Sequence, residues 1–223
     1  MRSDDLFHKR KARGAKDLAR PAGKKSPYET VLIICEGETE VGYFKGLIQA
    51  QRLNTANVAV MPSVAGSAPI SIVQYAIETA ESRGNIDQVF CVFDRDNHES
   101  YERALDQIKS HKPRSKAKSK PCYQAITSEP CFEIWLLLHF IYTTKSYVST
   151  GNRSACDNVI ADLCQHLPNY TKNVKDLFGK ISTEKRECAI ENAKKLEKHN
   201  EKTGSSNPHT YVYKLVEHLM NVL

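Results

Sequence analysis

Long apolar runs are missing from this chain of 223 residues: none approaches the ~20 residues that a membrane-crossing helix needs, and the basic, polar N-terminus holds no apolar stretch of the kind a secretory signal requires. A soluble protein of the cytoplasm is the expectation. Zinc-type cysteine spacing is missing as well. No C-x-x-C pair occurs, and Cys122 with Cys131, or Cys91 with His98, would make only an improvised site. The seven cysteines are odd in number, and Cys35 and Cys91 fall inside apolar segments, so reduced thiols are expected rather than a disulfide framework. The small-residue loop through Ser63, Ala65, Gly66 and Ser67 lacks the Gly-Lys-Ser/Thr ending of a nucleotide-binding loop and reads as an ordinary strand-to-helix connection.

What is present starts with charge, which is unevenly spread. The net charge is +6, and residues 1–27 hold nine Lys or Arg against three Asp, so the remainder carries 23 basic and 23 acidic side chains and is neutral. This segment has almost no apolar content and reads as a disordered basic arm suited to polyanions, with Lys9, Arg10, Lys11 and Arg13 as candidate nucleic-acid contacts and a solubilising tail as the alternative. A second basic run lies between Lys109 and Lys120. Its Lys112, Arg114, Lys116, Lys118 and Lys120 are candidate phosphate contacts, weighed against a plain solvated loop.

Apolar content of 40% is ample for a core. Val31–Cys35 is an unbroken apolar run that reads as a strand buried on both faces, and it stops at Glu36-Gly37. Thr39 is placed to cap a helix that carries Val41, Phe44, Leu47 and Ile48 on one face and runs to about Leu53. The alternation then repeats: a strand at 57–61, a helix opened by Pro69 and ending near Gly84, a strand at 88–93, and a helix through Tyr101, Leu105 and Ile108. A strand at 122–127 leads to an apolar helix over 131–140, with Ser128 or Glu129 near its cap and Pro130 in its first turn. Beyond Tyr142 the pattern is helical, in pieces at 155–167, 174–178, 183–202 and 208–223. The pattern predicts an α/β fold: a mostly parallel sheet flanked by helices over residues 28–142, with a helical appendage over 143–223 packed on it.

Carboxylates mark the strand ends. Glu36 and Glu40 sit where the first strand hands over to its helix, and Asp94 and Asp96 follow the third strand, two apart and so able to point the same way. Open α/β sheets bind ligands beyond the carboxyl ends of their strands, and if the first and third strands are neighbours the two pairs meet in one crevice. Four such acids repel unless a cation or proton compensates, and a divalent metal is the economical answer. Glu133, a lone acid in an apolar helix, is either a fifth ligand or a partner for an arginine such as Arg95.

These motifs, Cys35-Glu36-Gly37-Glu38-Thr39-Glu40 and Phe93-Asp94-Arg95-Asp96, resemble the Toprim fold of type IA and II topoisomerases, primases and OLD-family nucleases. With Tyr43-Phe44, the stretch from Ser128 to His139 and the stretch from Asn207 to Val216, the chain resembles more closely the RloB-like family, associated with abortive phage resistance and often with a partner ATPase; the resemblance spans roughly residues 28–222. It implies that Glu36, Asp94 and Asp96, with Glu40 as the second glutamate, hold Mg²⁺ or Mn²⁺ beside a phosphodiester of DNA or RNA, and that Glu133 joins the catalytic set. It also admits a homo-oligomer. A non-catalytic nucleic-acid- or ATPase-binding module with a Mg²⁺-holding pocket is the competing reading.

Overall fold

In a computed structural model of the chain, described residues are 29–53, 57–95, 99–112, 120–172 and 177–221. The basic arm with Lys9, Arg10, Lys11 and Arg13, the acid Asp96, and Arg114, Lys116 and Lys118 lie outside them.

The apolar run at the N-terminal end of this region is β1 (Val31–Cys35), every residue of which is buried. It lies between β2 and β3, second from one edge of a five-stranded sheet in the order β2-β1-β3-β4-β5. Strands β2 (Val58–Pro62), β3 (Gln88–Asp94) and β4 (Cys122–Glu129) run parallel to it, and the two-residue β5 (His209–Thr210) pairs antiparallel with β4. Among the described residues seven α-helices flank the sheet, so the architecture is α/β and Rossmannoid.

Because side chains alternate along a strand, β1 feeds two cores at once. Val31, Ile33 and Cys35 pack with α1 (Glu38–Ala50), α4 (Glu133–Leu138), α5 (Ala155–Cys164), α6 (Thr183–Thr203) and α7 (Val212–Asn221). Leu32 and Ile34 pack on the other side with α2 (Pro69–Arg83) and α3 (Tyr101–Ser110). The larger core centres on Trp135 and Tyr43, whose rings meet edge to face at 6.1 Å, with Phe44, Phe132 and Phe178 around Tyr43.

Several local expectations are corrected. Helix α1 is capped by Gly37, whose backbone is extended, and Thr39 lies buried in the first turn. The chain turns immediately after β1, and a residue without a side chain makes that turn. The apolar helix begins at Glu133 rather than Cys131, because β4 continues through Glu129, which pairs with His209; Ser128 and Glu129 are held in the sheet and cannot cap. The helix expected from Pro208 starts only at Val212. Thr210 is drawn into the sheet by Ser128, their hydroxyls 2.9 Å apart, and its Oγ1 accepts the Val212 N–H at 3.3 Å. Reduced thiols throughout are also overturned: Cys131 and Cys156 form a disulfide. Cys35 and Cys91 remain free and buried, and burial pushes the Cys91 thiol up to about 12 and Cys35 well above its usual value. Of the improvised zinc pairs, Cys131 is therefore spent on Cys156, and His98 lies outside the described residues. Among the described residues no helix is long and apolar enough to cross a membrane.

Two predictions arise from this packing. The Phe178 side chain lies against Gly46 of α1, and a Cβ there would overlap it. Gly46→Ala is expected to destabilise the fold by about 1–3 kcal/mol in urea titration, although alanine favours helices by about 1 kcal/mol at an unhindered site; a stabilised variant would refute this contact. The second concerns His139, buried beyond α4, whose Nδ1 lies 2.9 Å from the Trp135 carbonyl and whose Nε2 lies 3.3 Å from the Tyr43 hydroxyl. Burial pushes this imidazole down to about 4 from its ordinary 6.5, so the unfolded chain takes up a proton that the folded chain refuses. The stability it contributes is complete above pH 6.5 and is lost as pH falls towards 4, on the order of 3 kcal/mol in all. His139→Gln is expected to flatten that acid limb of the stability curve; an unchanged limb would assign it elsewhere.

Candidate metal centre

Strand order decides where the acids meet. Since β1 and β3 are neighbours while their helices leave to opposite faces, the crevice between their carboxyl ends is a topological switch point. Cys35 is in register with Val92, and the chain beyond β1 stays on β3 through the Glu36 N–H, which donates to the Val92 carbonyl at 3.0 Å. The Glu36 carboxylate turns to the same neighbour, and its Oε2 accepts the Asp94 N–H at 3.0 Å. Glu36 and Asp94 thus stand side by side. Glu40, one turn into α1, lies buried beneath them, and Glu133 enters from the start of α4.

These four carboxylates feel one another. Glu40 is pushed up to about 7, first by burial, with Glu133 and Glu36 adding to the shift and its own backbone hydrogen bond and Lys172 opposing it. Asp94 is held well above the usual carboxylate range by burial and then by Glu40, Glu36 and Glu133, partly offset by the Phe132 backbone. Glu133 is 2% exposed; its Oε1 accepts from the Tyr170 hydroxyl at 3.0 Å, and its Oε2 lies 3.3 Å from Cys156 Sγ. Its alternative partner is occupied elsewhere: Arg95 pairs with Glu129 at 3.4 Å and Glu102 at 3.8 Å and sits over the Tyr101 ring.

Glu36 and Asp94 open into a cleft of about 500 Å³, which is also lined by Arg95, Glu129, Tyr147, Ser154, Cys156 and Lys172. An all-oxygen set in which Glu40 and Asp94 are raised towards the protonated form fits a hard dication, which would replace the missing protons. The fit is an open one. Among the described residues, the trio whose ligand atoms all lie within 4.8 Å of one another is Cys131, Glu133 and Cys156, and its two sulfurs are bonded to each other. Among the described residues Glu36, Glu40 and Asp94 form no such trio, so an ion held by them would complete its shell with water, as Mg²⁺ does.

The structure brings Glu36, Glu40, Asp94 and Glu133 to one edge of the sheet and adds Lys172, Tyr170 and Glu129, which the sequence does not single out for the site. Lys172 and Tyr170 lie in a polar connecting segment that carries no periodic signal. Glu129 has the sequence signature of a helix cap, but it is the last residue of β4. The exposed Lys112 and Lys120 border the basic loop at the far end of α3 and the start of β4, away from the carboxyl ends where the acids gather.

The fold and this edge define a doubly wound α/β protein with an acidic switch-point pocket. Residues 31–219 match the family model described as RloB-like protein, and the chain belongs to that family. No curated protein and no solved structure matches it.

Proposed function

We propose that the protein is a divalent-metal-dependent nuclease that hydrolyses phosphodiester bonds of DNA or RNA, related to Toprim and OLD-type nucleases and acting in anti-phage defence in the cytoplasm. The observation that carries this reading is the meeting of Glu36 and Asp94 at the switch point, where the Glu36 carboxylate accepts the Asp94 N–H at 3.0 Å beside an open cleft, with Glu40 and Glu133 near enough to raise Asp94. Perturbed carboxylates in a crevice at a sheet's carboxyl edge mark a candidate reaction centre.

Glu36, Glu40 and Asp94, with Asp96 as the fourth acid of the motif and Glu133 behind them, would hold Mg²⁺ or Mn²⁺. The ion, when bound, lowers the pKa of a coordinated water and polarises a phosphoryl oxygen. The protein's own groups do the rest. Lys172 and Arg95 bring positive charge to the cleft wall, where they offset the charge of an incoming phosphate and orient it. Tyr170 fixes the Glu133 carboxylate from behind through its hydrogen bond. Lys9, Arg10, Lys11 and Arg13 of the arm and Lys112, Arg114, Lys116, Lys118 and Lys120 of the loop would hold the polyanion along its backbone. A partner ATPase and self-association belong to the same proposal.

The experiment incubates the purified chain with Mg²⁺ or Mn²⁺ and single-stranded DNA, duplex DNA or tRNA, with Glu36→Ala alongside. Metal-dependent hydrolysis lost in the variant supports the nuclease. Salt-sensitive binding without cleavage would replace it with the nucleic-acid-binding module.

A further inference from the structure

We propose that Cys131 and Cys156 form a reversible thiol–disulfide switch that sets how tightly the acid site holds a divalent cation; the inference rests on the metal-site reading above and adds its regulation. Both cysteines are among the residues that line the cleft that Glu36 and Asp94 open into. Cys131 lies two residues before Glu133 in the turn that enters α4, and Cys156 lies in the first turn of α5, two residues after its cap Ser154. The bond therefore ties the entry to α4, with its buried glutamate, to one wall of the cleft.

The two redox states differ at Glu133. Cys156 Sγ stands 3.3 Å from Glu133 Oε2, within reach of a thiol donor. As a dithiol, Cys156 carries a hydrogen that it can give to that oxygen. As a disulfide it carries none, and Oε2 keeps its lone pairs for a cation. Reduction also turns two weak sulfur donors into soft ligands within 4.8 Å of the same carboxylate, which draws Glu133 towards a sulfur-rich set and away from the oxygen set that hard ions prefer. Both effects act in one direction: the disulfide form binds a hard dication more tightly.

The exchange needs a small dithiol as reductant, and the molecule offers it a point of entry. Cys131 is 3% exposed, whereas Cys156 is half-buried on the cleft wall. A reductant thiolate attacks Cys156 Sγ, and the Cys131–Cys156 bond breaks with its electron pair leaving on Cys131 Sγ, which takes up a proton. The second thiol of the reductant then displaces Cys156, which is protonated in turn, and the reductant departs as its own disulfide.

The test titrates Mn²⁺ calorimetrically into the full chain after treatment with a cyclic disulfide or with a dithiol. Peptide mapping of alkylated cysteines reports the state of Cys131 and Cys156, while Cys122, Cys164 and Cys188 serve as free-thiol references. Mn²⁺ affinity is expected to be on the order of tenfold higher in the oxidised chain, the scale on which groups behind metal ligands act. Cys156→Ser, which keeps a donor beside Glu133 and cannot be oxidised, is expected to bind as the reduced chain does under both treatments; Cys131→Ser gives the same comparison should that variant not fold. Equal affinity in the two states of the unaltered chain, or failure of the cyclic disulfide to close the pair, overturns the switch and leaves the metal site standing. Absence of Mn²⁺ binding in both states overturns the metal site and the switch together.

Discussion

Asp94→Ala is expected to lower metal-dependent cleavage by on the order of 10³-fold, about 4 kcal/mol of transition-state stabilisation, while the chain stays folded. The side chain stands at the end of β3 where the crevice opens, and three other carboxylates act on it. Its backbone N–H, which holds Glu36 in place at 3.0 Å, is untouched by the substitution, so the neighbouring acid keeps its position. What is lost is one oxygen donor and one unit of negative charge at the mouth of the cleft. Because Asp94 is held above its usual range chiefly by burial, truncation removes an unfavourable charge from the apo protein, and the melting temperature is expected to hold or rise. Loss of activity with an unchanged melting curve is the signature of a site residue. A drop of less than tenfold, with the fold intact, would remove Asp94 from the reacting centre; a collapse of the fold would show that the aspartate is structural.

Glu40→Gln has the second large effect, and its sign depends on pH. The folded-state pKa is raised from 4.5 to about 7, so the folded chain prefers the protonated carboxyl more than the unfolded chain does. The resulting contribution is fully present below pH 4.5 and is lost as pH rises through 7. At pH 8 the ionised, buried glutamate costs the apo protein about 3 kcal/mol relative to pH 4. Glutamine has nearly the same shape and cannot ionise, so the variant is expected to be more stable than the parent by about that amount at pH 8 and equal to it at pH 4. Added Mn²⁺ should reverse the order at pH 8, because the parent has a charge to offer the ion and the variant does not. Urea unfolding at the two pH values, with and without Mn²⁺, gives four numbers. If the variant gains nothing at pH 8 without metal, the acids are not packed against one another as described.

The sheet and its acids were legible because local pattern and fold-level rules agree there. Val31–Cys35 and Val89–Phe93 are apolar runs too short for helices and too continuous for half-exposed strands, and each ends on a carboxylate. Parallel connection rules then leave few strand orders, and neighbouring first and third strands bring Glu36 to Asp94. Features set by a distant partner escaped. His209 and Thr210 have no strand signal of their own and are extended only because Ser128 and Glu129 present a bare edge. Cys131 and Cys156 are 25 residues apart, and only the docking of α5 beside the entry to α4 brings them together. Gly37 took the capping role from Thr39 because the chain must turn within two residues of β1. Lys172 enters the cleft from a connection whose composition says only that it is polar.

The short β5 also settles how the molecule meets its surroundings. It pairs with Ser128 and Glu129 at the carboxyl end of β4, with α7 following directly behind it, and β2 is the outer strand on the far side. An extended peptide adding itself on the β2 side would line up along Val58–Pro62. At its last residue that strand offers a ring nitrogen with no hydrogen to give, so the ladder would run out at Pro62, beside the carboxyl edge where the acids gather.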